Sequence, residues 1–203
     1  MKRKRPLHLI FICVCNRLRS AFSEFLFPKM MGEKDARLDG RVKVSSAGFI
    51  PQKLRDHLAS VPVKFPDPFY NRPMAEMARA TLFKKDIVVP EEWRSNELTS
   101  EMVEDADLLI TALPEQKEEL IRLFPEAQAK IFTIKEMSRW DGYLLSEDFT
   151  VPPMDDTFWD YVDGDPEYAS KIIALTEEML IRAYPNILKH LSFKVKKWRQ
   201  RTL

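Results

Sequence analysis

Apolar residues recur along this chain in two rhythms. Four short runs are dense or alternating: His8–Cys13 (HLIFIC), Val42–Ser46 (VKVSS), Leu108–Ala112 (LLITA) and Lys130–Ile134 (KIFTI). Runs of this length, bounded by polar stretches, predict buried strands. Between and after them the spacing lengthens to that of helices. Ser20–Met31 carries Phe22, Phe25 and Leu26 on adjoining turns, and Arg72–Phe83 is rich in Met and Ala. Pro114–Phe124 opens with Pro and then Glu, as a helix start should. Asp165–Leu188 is the longest, with Ile172, Leu175, Met179 and Ile187 on related turns and Asp165-Pro166-Glu167 as its start signal.

Strands alternating with helices predict an α/β fold: a single-domain, three-layer sandwich with a four-stranded parallel sheet and helices on both faces. A chain of 203 residues fits one domain over 1–203 and buries a core without disulfide staples. No internal repeat or low-complexity tract interrupts it. Two Pro-rich stretches, Pro51–Pro73 and Val151–Pro166, are expected as long surface loops. The start, MKRKRPLHLIFICVCN, has a basic end and then an apolar stretch, as a signal peptide does. That stretch is short, runs into Asn16 and Arg17, and lacks a small-residue cleavage site, so it reads as a buried first strand. No apolar run approaches the ~20 residues of a membrane helix. A cytoplasmic protein without a transmembrane segment is the expectation.

Charge refines this picture. The net charge is +1, but four cations precede Pro6 and six lie in the basic tail 189–203, so the body between them carries −9. An acidic body with basic ends argues against nucleic acid binding across the fold. The three histidines, His8, His57 and His190, are scattered and suggest no metal site.

The two cysteines, Cys13 and Cys15, stand one residue apart, too close for an unstrained disulfide. Cys13 closes the first predicted strand, and a helix begins near Ser20. Parallel α/β sheets bind ligands at the carboxyl ends of their strands. Residues 13–20 would wrap around a helix N-terminus, where unpaired amides and the helix dipole favour an anion. The same field favours a thiolate. Arg19 can present a bidentate fork to two phosphate oxygens, and Ser20 can donate to the sulfur. Cys13 and Arg19 thus make a nucleophile in a phosphate cradle whose floor is the backbone of Val14, Cys15, Asn16, Arg17 and Leu18.

At this loop the sequence resembles the low-molecular-weight protein tyrosine phosphatases. They carry V-C-x-G-N-x-C-R-S-P-x-A-E after their first strand, where this chain reads I-C-V-C-N-R-L-R-S-A-F-S-E. Cys13, Asn16, Arg19, Ser20 and Glu24 match. Val44-Ser45-Ser46-Ala47-Gly48 resembles the V-x-S-A-G after the second strand. Arg94-Ser95 with Leu98-Thr99 resembles the H/R-x-x-x-L-T segment, and Glu104–Ile110 resembles the third strand. The resemblance covers residues 8 to about 135 in order. It implies that Asn16 and Ser46 hold the phosphate loop in shape, and that Arg17 and Phe49 line the pocket. The departures are Cys15 for the loop glycine, Leu18 for a second cysteine and Ala21 for proline. Residues 52–70 are an insertion relative to the family.

The resemblance also implies an aspartic general acid in a D-P-Y-Y-like loop before the last helix. Asp156-Thr157-Phe158-Trp159 has that position, with Asp155 beside it. Pro66-Asp67-Pro68-Phe69-Tyr70 has nearly the letters, but precedes the third strand. A general acid must lie within about a hydrogen bond of the leaving oxygen, so position favours Asp156, with Asp155 and Asp67 as alternatives. Phe158 and Trp159 would then wall the pocket. The expected function is a metal-independent, cofactor-free phosphomonoester hydrolase acting on a phosphorylated protein or small aryl phosphate, with inorganic phosphate as product and inhibitor. Two rivals stay open. A non-catalytic phosphate- or phosphoprotein-binding module would bind without turnover. A thiol-dependent arsenate reductase commonly needs further cysteines, and this chain has only Cys15.

Overall fold

The computed structural model describes residues 5–34, 40–60, 69–139 and 166–200, with backbone alone for 57–60 and 193–200. Four strands, β1 (Leu7–Cys13), β2 (Val42–Gly48), β3 (Leu108–Thr111) and β4 (Ile131–Thr133), form one parallel sheet in the order β2-β1-β3-β4. The helices are α1 (Arg19–Lys34), α2 (Gln52–Ser60), α3 (Glu76–Phe83), α4 (Ser100–Asp105), α5 (Pro114–Leu123), α6 (Ile134–Ser138) and α7 (Pro166–Gln200), with a 3-10 turn at Pro125–Lys130. Among the described residues no helix is long and apolar enough to cross a membrane.

The period-2 alternation of strands sorts side chains into two cores. Leu7, Leu9 and Phe11 of β1, with Leu108 and Ile110 of β3, pack against α1, α3 and α7. Ile10 and Ile12, with Ala47, Leu109 and Ile131, pack on the other face against Val103 of α4 and Leu120 of α5. β1 is central, covered on both faces, and buried at all seven positions. This is the three-layer sandwich that the alternation of elements predicts.

The differences from expectation have local causes. α3 begins at Glu76 rather than Arg72: Arg72 precedes Pro73, which disfavours helical backbone there, and the Ala75 N–H, the first that could bond inside such a helix, goes to the Arg17 carbonyl. The stretch expected as one loop from Pro51 opens instead with α2, whose first turn is set by Pro51 accepting from Leu54 and Arg55 N–H. α7 runs past Leu188 to Gln200, so much of the basic tail is helical.

At the amino end of β1, His8 links three segments. Its Nδ1 lies 2.8 Å from Asp105 Oδ2 and its Nε2 2.7 Å from Ser45 Oγ. Burial pushes its pKa below the usual 6.5, against the opposing pull of the Asp105 hydrogen bond.

Candidate active site

β1 ends at Cys13 and α1 begins at Arg19, so residues 14–18 turn the chain from the carboxyl end of a central strand into a helix N-terminus. Asn16 takes the left-handed conformation (φ 53°) that makes this turn tight. Asn tolerates that region better than most residues with a Cβ. Cys15 does not adopt positive φ, so the side chain in place of the family glycine needs no forbidden backbone. Its sulfur sits instead in a small apolar cluster with Val14, Ile50 and Leu113, against which Leu54 and Phe69 pack.

Cys13 is buried, and Ser20 Oγ donates to its Sγ at 3.0 Å. The orientation of Ser20 is fixed one step further out. Asn16, at 0% exposure, donates from Nδ2 to Ser20 Oγ (3.0 Å) and to Ser46 Oγ (2.6 Å). Its Oδ1 accepts from the Asn96 N–H at 2.9 Å. Because Ser20 Oγ receives a proton from Asn16, its own proton is directed to the sulfur. Ser46 Oγ in turn donates to Glu24 Oε2 at 2.6 Å, and Trp93 Nε1 donates to the same oxygen at 3.2 Å. Burial raises the Glu24 pKa, with the Ser46 and Trp93 hydrogen bonds opposing. The second-strand motif therefore meets the loop through Ser46.

Gly48 ends β2 directly beside the loop. A Cβ there would lie 2.3 Å from Tyr70 Cε1 and 2.8 Å from the Val14 carbonyl oxygen, so only glycine lets these approach. Tyr70 Oη donates to that Val14 oxygen at 3.2 Å. Burial raises the Tyr70 pKa far above its usual 10, with negative charge at Cys15, Glu97 and Cys13 adding to the effect.

Arg19 lines a cavity of about 20 Å³ with Ser20, Ser23, Thr111 and Thr176. Arg17 is 3% exposed, and its Nε donates to the Pro73 carbonyl at 2.8 Å. Leu18, at the position of the family's second cysteine, is buried in the main core. Phe49 is half-buried against the second core, and its amide donates to the Cys13 carbonyl at 2.8 Å. Asp67, Asp155, Asp156, Phe158 and Trp159 lie outside the described residues.

The fold has counterparts among solved structures. A YwlE mutant from Bacillus subtilis superposes with a TM-score of 0.59 and 26% identity, covering 90% of this chain and 99% of that one. The solution structure of a low-molecular-weight protein tyrosine phosphatase from Bacillus subtilis matches at 27% identity and TM-score 0.58, covering 90% and 97%. The chain is similar to the low-molecular-weight protein tyrosine phosphatases and diverges from them in sequence. Vibrio vulnificus Wzb, solved with benzylphosphonate, shares the fold at 20% identity and TM-score 0.58, over 88% of this chain and 98% of that one. No protein-family model matches the sequence, and no curated protein does either. The likeness thus rests on the fold, which superposes over about 90% of the chain.

Sequence reasoning missed Tyr70, Trp93 and Asn96 as parts of this site. Tyr70 was legible only as the end of an acid-like motif. Trp93 and Asn96 bear no local signal, since their partners Glu24 and Asn16 are 69 and 80 residues away.

Proposed function

We propose that this protein is a metal-independent phosphomonoester hydrolase of the low-molecular-weight protein tyrosine phosphatase type. The observation that carries the reading is the hydroxyl of Ser20 aimed at Cys13 Sγ by Asn16, at the point where a parallel strand meets a helix N-terminus. A thiolate at Cys13 attacks phosphorus in line, forming an S–P bond as the P–O bond to the leaving group breaks. Amides of residues 14–19 and the Arg19 guanidinium hold the equatorial oxygens, where transition-state charge resides. An aspartic acid, Asp156 by its position before α7, protonates the leaving oxygen. It then takes a proton from the water that attacks phosphorus and breaks the S–P bond.

One structural neighbour, a cysteine-to-serine mutant of YwlE arginine phosphatase, carries a phosphorylated active-site serine. Phosphoryl transfer to that side chain parallels the covalent step proposed for Cys13. The substrate proposed is a phosphorylated protein or an aryl phosphate. The test is hydrolysis of an aryl phosphate in excess chelator by wild type, Cys13→Ser, Asp156→Asn and Asp67→Asn. Turnover that survives chelation and disappears in Cys13→Ser is expected, with a roughly 10²–10⁴-fold loss in Asp156→Asn alone. Phosphate binding without turnover would replace the hydrolase by a binding module.

A further inference from the structure

We infer that Tyr70 is a positioning residue for the phosphate loop: its hydroxyl fixes the Val14–Cys15 peptide so that the Cys15 N–H is aimed at a bound phosphoryl oxygen. This rests on reading residues 13–19 as a phosphate loop.

The first ground is the direction of one peptide unit. In a planar trans peptide the C=O and the following N–H point to opposite sides. The Val14 oxygen is drawn toward Tyr70 Oη at 3.2 Å, so the Cys15 N–H points the other way. A rotation of this peptide would turn a carbonyl dipole toward the anion and a donor away from it. A loop that binds through backbone amides depends on just this orientation.

The second ground is that the Tyr70 ring is held in place from several sides. Gly48 leaves room for it within a distance that a Cβ would close. Phe69 stands edge-on to it, centroids 5.0 Å apart and planes at 78°. Phe69 in turn packs with Leu54 on the cluster of Val14, Cys15, Ile50 and Leu113. The next residue, Asn71, has positive φ (64°) and donates its N–H to the Ser95 carbonyl at 2.7 Å, which anchors the chain as it leaves the ring. Leu54, Phe69 and Tyr70 all belong to the segment that is extra relative to the family, and Val14 and Cys15 are the loop residues they cover. The side chain at Cys15 therefore has a purpose that a glycine would not serve: it is part of the surface on which the segment seats. The raised pKa of the phenol keeps it a donor, so it does not serve as a base.

Orthovanadate affinity and aryl phosphate kinetics of wild type, Tyr70→Phe and Gly48→Ala test this. Phenylalanine keeps the ring and deletes only the hydroxyl, so the fold is retained. Vanadate binding by Tyr70→Phe is expected to weaken about tenfold. That is less than the ~10²–10³-fold of deleting a donor, because the amide remains and only its aim is lost. kcat should fall more than KM rises. Gly48→Ala, which displaces the ring, should weaken vanadate binding at least as much. Wild-type vanadate affinity in Tyr70→Phe overturns the inference and leaves Tyr70 a packing residue. If wild type binds vanadate but hydrolyses nothing, the hydrolase reading fails while the vanadate comparison still decides the role of Tyr70. If wild type binds no vanadate, both fall.

Discussion

Replacing Asn16 separates the hydrogen bonds of the loop from its backbone geometry. The fully buried amide makes three hydrogen bonds, to Ser20, Ser46 and the Asn96 amide, and its backbone sits at φ 53°. Each bond contributes about 1 kcal/mol net, so Asn16→Gly should cost about 3 kcal/mol while leaving the turn relaxed. Asn16→Ala loses the same bonds and also the polar side chain that lets asparagine tolerate the left-handed region, adding about 1 kcal/mol or more and giving about 4 kcal/mol. In a chain of this size that lowers Tm by roughly 8–16 °C. Both variants free Ser20 to turn its proton away from Cys13, so both should lose aryl phosphate turnover by a similar factor. Urea unfolding and steady-state kinetics on the pair provide the assay. The reasoning is refuted if the two are equally stable, since φ would then not constrain residue 16. It is refuted also if either keeps wild-type turnover, since Ser20 would then need no orienting partner.

Two titratable groups, the half-buried Glu24 and the buried His8, predict opposite pH trends. Glu24 has a folded pKa above its ordinary 4.5, so it holds its proton more tightly when folded. Its contribution to stability is complete below 4.5 and fades as pH rises through the folded value. Glu24→Gln, whose amide oxygen can accept from both Ser46 and Trp93, should remove that decline in Tm against pH and melt no lower than wild type near pH 7. His8 has a folded pKa below 6.5, so the unfolded chain takes up the proton first. Stability is therefore lost as pH falls from 6.5 through the folded value, and His8→Gln should flatten that part of the Tm profile. Restoring the family glycine by Cys15→Gly should not relax the loop, because φ at residue 15 is not positive. It should instead lower stability by about 1–2 kcal/mol, from the lost contacts with Val14, Ile50 and Leu113 and the added chain entropy, read by urea unfolding.

The strands, the long helices and the loop that joins β1 to α1 were legible in the sequence because each is a local pattern. HLIFIC could be little other than a buried strand, and C-V-C-N-R-L-R-S carries its spacing within eight residues. The start of α3 was misread because Met and Ala signal helix wherever they occur. What moved it to Glu76 was Pro73 after Arg72 and the capture of the Ala75 amide by the Arg17 carbonyl. Arg17 illustrates the same limit: no local pattern encodes the bond from its Nε to the Pro73 carbonyl, 56 residues away.

The sequence by itself determined an α/β sandwich with Cys13 at a strand end and a helix beginning near Ser20, because periodicity and a short motif act over a few residues. Only the tertiary structure decided which proton reaches the sulfur and what presses on the loop. Asn16 meets Ser46 and Asn96, Glu24 meets Trp93, and Tyr70 meets Gly48 and Val14. Those meetings depend on the parallel register of β1 against β2 and on the path of the chain outside the sheet. Hydrogen bonds and close packing are decided within an ångström between residues tens of positions apart, and no local pattern encodes such distances.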